Sequence, residues 1–125
     1  MNTVVITGSS RGIGLEMARA FLEQGWNVVV SGSSPTSTQE AITKLGSRYP
    51  AERILPIPCD VKEFSQVQAL WDQAQTQFST IDIWINNAGT SGPRGDVWNL
   101  TPEDAQTVVD TNLLGTIYGS QVVIR

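Results

Sequence analysis

Thr7-Gly8-Ser9-Ser10-Arg11-Gly12-Ile13-Gly14 follows directly on the apolar run Thr3-Val4-Val5-Ile6, and an amphipathic stretch follows it in turn. Three glycines at a strand-to-helix junction leave few folds open, because each has a task there. Gly8 can take the tight turn out of the strand at little steric cost. Gly12 lets the backbone approach an anion held on outward-pointing N–H groups at the helix N-terminus. Gly14 lets the helix pack close against the sheet. The anion that suits this turn is a dinucleotide pyrophosphate. The spacing is G-x-x-x-G-x-G rather than G-x-G-x-x-G, so the agreement is one of mechanism. The turn lacks the Lys-Ser/Thr pair with which a phosphotransfer loop reaches phosphates and Mg²⁺.

Strand and helix signals alternate along the whole chain, the pattern of a parallel sheet with helical crossovers. Ile13, Met17 and Phe21, with Gly14, Ala18 and Leu22, predict a wide apolar stripe on the first helix, ended by Gly25. Trp26 to Val30 reads as the second strand. Ser37-Thr38-Gln39-Glu40 predicts a capping box for a helix running through Leu45 to Gly46. Arg53 to Pro58 reads as the third strand, and its two prolines suit an edge. Val67, Leu70, Trp71, Ala74 and Phe78 share one face of a third helix. Ile81 to Ile85 is the fourth strand, followed by Asn86-Asn87-Ala88-Gly89 and a loop to Leu100. Thr101-Pro102-Glu103-Asp104 opens a last helix with Ala105, Val108, Val109, Asn112 and Thr116 on one stripe and no stop signal before Arg125.

Right-handed crossovers order four such strands 3-2-1-4, the first half of a doubly wound α/β sheet plus one strand. The first two helices then cover one face and the last two the other. The fourth strand is left with an open apolar edge, Ile83-Trp84-Ile85, able to pair with another chain.

Composition narrows the chemistry. The 125 residues suffice for one domain, 40% hydrophobic and 16% charged, with a net charge of −4 that disfavours nucleic acid and anionic membranes. There is no histidine and one cysteine, Cys59, which excludes Cys/His zinc sites, histidine triads and a disulfide framework. No metal site is expected. A cytoplasmic protein without signal peptide or membrane span is the simplest expectation.

With the glycine turn, Cys59-Asp60-Val61, Asn86-Asn87-Ala88-Gly89 and Asn112 in place, the chain from Thr3 to about Val123 resembles the short-chain dehydrogenase/reductase family. The resemblance implies a Rossmann-type domain, one unit over residues 1–125, truncated before its fifth strand. It implies NAD(P)-dependent hydride transfer with a small carbonyl or alcohol substrate. Gly8, Ser10, Arg11, Gly12, Ile13 and Gly14 would form the phosphate turn. Asp60 and Val61 would hold the adenine, the carboxylate accepting its amino proton and the Val61 N–H donating to a ring nitrogen; taken alone, Asp60 also reads as a turn residue. Asn87, Ala88 and Gly89 would line the ribose, although Asn-Asn-Ala-Gly by itself is only a turn signal. Asn112 would bend its helix and hold a water that links the catalytic Lys to solvent. Outside the family it is a partly exposed or helix-kinking Asn. It is the one catalytic candidate, since no Y-x-x-x-K exists: the residues four beyond Tyr49 and Tyr118 are Arg53 and Val122.

The second strand ends Val30-Ser31-Gly32-Ser33-Ser34, with no acid to hold a ribose 2′-OH, while Arg11 offers a cation close by. Ser33 and Arg11 therefore favour NADP over NAD, the alternative being a solvated Arg11. Ile83 to Thr90 and Thr111 to Gly115 resemble the chlorophyll b reductase branch, which implies the formyl group of a chlorophyll-type tetrapyrrole as substrate. The missing Ser, Tyr and Lys imply a cofactor-binding half, poorly stable and without turnover alone. The alternative is a non-catalytic dinucleotide-binding or dimerisation module. Family members form homo-oligomers through the helix that carries Asn112.

Overall fold

In the computed structural model, which describes residues 1–125, four strands form one sheet: β1 (Thr3–Ile6), β2 (Asn27–Val30), β3 (Ile54–Pro56) and β4 (Ile83–Ile85). All three pairings are parallel and the order is β3-β2-β1-β4, as the crossover rule requires. The crossovers carry α1 (Gly12–Glu23), α2 (Pro35–Leu45) and α3 (Phe64–Phe78). After β4 come α4 (Pro102–Val109), a π-helical turn (Asp110–Leu114) and α5 (Gly115–Ile124).

Strand alternation divides the core in two. Val4, Ile6, Val28 and Val30 pack with Leu15, Ala18 and Leu22 of α1 and Ala41 and Leu45 of α2. Val5 and Val29 face the other way, onto Val67, Leu70 and Ala74 of α3 and Val122 of α5. The central strands are therefore buried on both faces, which is why they read as unbroken β-branched runs.

Several boundaries and one helix face differ from expectation. Helix α2 begins at Pro35 and is capped by Ser34, not by Ser37. Ser34 is extended (φ −140°) and exchanges the two capping bonds with Ser37, while Pro35 supplies the preset φ of the first turn. Strand β3 is shorter than Arg53–Pro58, because Ala51–Arg53 form a 3₁₀ turn; Ile57 still donates to Val30 at the end of β2, and Cys59 to Gly32 just beyond it. Strands β2 and β4 start one and two residues later than predicted. On α1, Leu15 is buried and Ile13 is 76% exposed.

On the last helical segment the stripe through Val109, Asn112 and Thr116 is not the buried one. Gly115, Gly119 and Val122 face the sheet instead. The π turn inserts a residue into the helical repeat, so a 3.6-residue stripe drawn across it lands on the wrong side. A side chain on Gly115 would run into Val61, and one on Gly119 into Asn86 and Trp84, so the two glycines let α5 lie close. The predicted open edge is present: β4 pairs with β1 alone, and Ile83 is exposed.

Candidate functional site

The C-terminal ends of the strands, at the switch point between β1 and β4, open into a cleft of about 710 Å³. Gly8, Ser10, Arg11, Gly12, Ile13 and Gly14 form its floor, Ser33 and α2 one end, Asp60 and Val61 the other, and Asn87, Ala88 and Gly89 the far wall. Every cofactor residue expected from the sequence thus borders one space. Asn112 does not line it.

The turn is held by bonds from both neighbouring strands. The Thr7 hydroxyl accepts from the N–H groups of Asn87 (3.0 Å) and Ala88 (3.1 Å). Asn87 returns its side-chain amide to the carbonyls of Thr7 (3.2 Å) and Gly8 (3.0 Å). On the β2 side, Ser9 N–H donates to Ser31 O (2.7 Å), and the Ser9 hydroxyl accepts from Ser31 N–H (2.8 Å). Gly8 adopts φ +63°, and a Cβ there would fall 2.6 Å from Ala88 Cα. Gly12 adopts φ +58°, and a Cβ there would meet nothing within 4 Å, so that side of the turn is open to a ligand.

Above this scaffold the start of α1 is bare. Arg11 sits at the N-cap in extended conformation (φ −160°), its side chain makes no cap, and the N–H groups of Gly12, Ile13 and Gly14 have no protein acceptor. At the other end of the cleft the Val61 N–H is also without an acceptor, although Val61 is buried. Unmade donors in a concave site fit a group rich in acceptors, and a pyrophosphate joined to a purine presents them at both places.

Arg11, Lys44 and Lys62 border the cleft with only Glu40 and Asp60 to oppose them, although the chain as a whole carries −4. Lys44, Glu40 and Ser37 of α2, Lys62, Thr90, and Thr107 and Thr111 of α4 and the π turn were not predicted as lining residues. They are ordinary polar positions in a single sequence, and only the placement of the helices gives them a role. Cys59 also borders the cleft; burial, then the nearby Asp60 charge, pushes its thiol up to about 12. It stays a neutral, weakly nucleophilic wall.

Asn112 acts one step back. Its Oδ1 accepts from Thr90 N–H and its Nδ2 donates to Thr90 O, both at 2.7 Å, so the amide clasps the peptide that leaves the cleft wall. It lies in the π turn, where the helix does depart from regular geometry. Neither tyrosine lines the cleft: the Tyr49 hydroxyl donates to Glu23 (2.7 Å) and the Tyr118 ring packs edge-on to Phe64.

Comparison with known proteins shows the family. The short chain dehydrogenase family profile matches residues 2–125. The chloroplastic chlorophyll(ide) b reductase NOL of Oryza sativa subsp. japonica is 40% identical over 90% of this chain and 33% of its own length. Glucose 1-dehydrogenase 2 of Bacillus subtilis is 32% identical over 98% of this chain and 47% of its own. A short chain dehydrogenase/reductase from Burkholderia phymatum, solved in complex with NAD, superposes with TM-score 0.88 at 27% identity over 98% of this chain and 43% of that one. The chain therefore spans a third to a half of the length of these relatives.

Proposed function

Because the chain belongs to the short-chain dehydrogenase/reductase family, we propose that its cleft binds a nicotinamide dinucleotide, NADP in preference to NAD, as the cofactor half of a carbonyl or alcohol oxidoreductase. The observation that carries this reading is the uncapped start of α1 beneath an open Gly12. In this pose the pyrophosphate takes the free N–H groups of Gly12, Ile13 and Gly14. The purine takes the Val61 N–H and the Asp60 carboxylate. Asn87 holds the turn from beneath, and Ala88 and Gly89 bound the ribose. Asn112 fixes Thr90, keeping the wall in place. The bound cofactor supplies hydride transfer at its nicotinamide.

Preference for the 2′-phosphate rests on Arg11 and Ser33 at an acid-free strand end. For the substrate, the formyl group of a chlorophyll-type tetrapyrrole is the reading that likeness to the rice reductase supports. That relative is chloroplastic, so a plastid fits the protein as well as the cytoplasm expected from its composition. No helix here is long and apolar enough to cross a membrane. Homo-oligomerisation through the α4–α5 side is part of the same proposal.

Arg11→Ala tests the cofactor choice. Loss of a charge-assisted contact to phosphate should weaken NADPH about 10-fold or more, with NADH changed little, measured by fluorescence titration. Equal losses for the two cofactors would overturn the preference.

A further inference from the structure

The turn that carries Asp60 and Val61 leaves one backbone donor unused. Of the five N–H groups from Cys59 to Glu63, four have protein acceptors: Cys59 donates to Gly32 O (2.8 Å), Asp60 to Gln66 Oε1 (2.8 Å), Lys62 to Asp60 Oδ1 (3.1 Å) and Glu63 to Asp60 O (3.0 Å). Only Val61 keeps a free one. Its direction is fixed, because the Asp60 carbonyl and the Val61 N–H belong to one planar trans peptide and point opposite ways. With the carbonyl turned to Glu63, at the start of α3, the N–H is turned away from that helix. The preceding peptide is held through its N–H by the Gln66 side chain. Gln66 is the third residue of α3, where a glutamine ordinarily reaches back to the N-cap N–H. Here the Glu63 N–H is already taken by Asp60 O, and the side chain reaches three residues further, to Asp60 itself. Gln66 is exposed and does not border the cleft.

We propose that Gln66 is a positioning residue for the base end of the cleft: by pinning the Asp60 N–H it fixes the Asp60 backbone, and with it the two groups that read the adenine edge, the Val61 N–H and the Asp60 carboxylate. The inference rests on the dinucleotide reading above. Adenine offers a ring nitrogen to the N–H and an amino proton to the carboxylate. A 6-oxo purine offers the reverse at both places, a ring N–H against the N–H and a carbonyl against the carboxylate. The turn tells the two apart only while both groups keep their relative placement. Without the Gln66 acceptor the Asp60 N–H turns to solvent, and the peptide is free to rotate away from the base.

The test titrates NADPH and its reduced hypoxanthine analogue into the purified full chain, as wild type, Gln66→Leu and Gln66→Glu, with a urea midpoint for each. Wild type should bind NADPH about tenfold or more tightly than the analogue. Gln66→Leu should weaken NADPH about fivefold, the worth of one ordinary hydrogen bond. The analogue should hardly change, since it has no bonds there to lose. Gln66→Glu keeps an acceptor and should restore the wild-type ratio. A merely structural role would lower the urea midpoint and both affinities together. Such a parallel change, an unchanged ratio in Gln66→Leu, or equal affinities in wild type would overturn the inference and leave dinucleotide binding intact. Failure of wild type to bind either dinucleotide would overturn both.

Discussion

Helices α1 and α2 start from the same edge of the sheet, yet α1 begins in a way opposite to both α2 and α4. At α2 the Ser34 hydroxyl takes the Ser37 N–H and Ser37 answers to Ser34 N–H; at α4 Thr101 and Asp104 do the same. Both helices have proline in the first turn. Helix α1 has an N-cap backbone as extended as theirs, but Arg11 makes no cap and the next residues have no side chain to offer or only the apolar Ile13. A cap contributes about 0.5–2 kcal/mol, so leaving one unmade has a cost in stability. What α1 gains is a set of aligned donors at the positive end of its dipole, which the proposed function assigns to an anion. On that proposal, the difference separates a helix start that serves folding from one that serves binding.

The sharpest way to break this comparison is at the glycine that places the bare start. Gly8→Val puts a β-branched residue at φ +63° and drives its Cβ into Ala88, the wall that β4 brings to the turn. Left-handed strain and overpacking together should cost about 2–5 kcal/mol. The expected outcome is a large drop in the urea midpoint and no dinucleotide binding, whereas a variant as stable as wild type would mean that the turn relaxes away from β4.

How far the molecule could be read from its sequence divides along the same line. The fold was legible because its signals are local: Val4-Val5-Ile6 and Val28-Val29-Val30 are buried on both faces, and Val67, Leu70 and Ala74 repeat at helical spacing. The turn was legible because glycine at a junction has few other uses. What escaped depends on long-range placement. The Thr7 hydroxyl that takes Asn87 and Ala88 is separated from them by about eighty positions, and threonine at a strand end carries no such label. The α2 start was misplaced by three residues because Ser34 and Ser37 both qualify as caps by composition, and only Pro35 decides between them. The buried side of α5 was missed because a π turn cannot be read from a period that it interrupts.

The comparison can also be broken from the other side, by giving α1 the start that α2 has. Arg11 already has the extended backbone of an N-cap, so Arg11→Asp places a carboxylate where it can accept a first-turn N–H. The cap should add about 1 kcal/mol, observed as a higher Tm. The same carboxylate occupies the phosphate's donors and repels its charge, so binding of both NADPH and NADH should fall at least about tenfold. Stability and binding moving in opposite directions under one substitution is the signature expected of donors kept free for a ligand. A parallel fall in both would mean that Arg11 supports the fold, and that the bare start has no reserved use.

The smallest effect sharpens the comparison by removing a cap that serves only the fold. Thr101→Ala deletes the acceptor for the Asp104 N–H (3.1 Å) and leaves the backbone N–H of residue 101 donating to the Asp104 carboxylate, at an exposed helix start outside the cleft lining. The expected cost is about 1 kcal/mol, read as a shift of the urea midpoint with an unchanged m-value. Dinucleotide affinity should stay at the wild-type level, because the cleft wall from this segment is held by the Asn112 clasp on Thr90, which lies beyond α4 in the π turn. If affinity fell along with stability, the start of α4 would be coupled to the wall through the helix itself, and the division between binding and folding termini would hold for α2 alone.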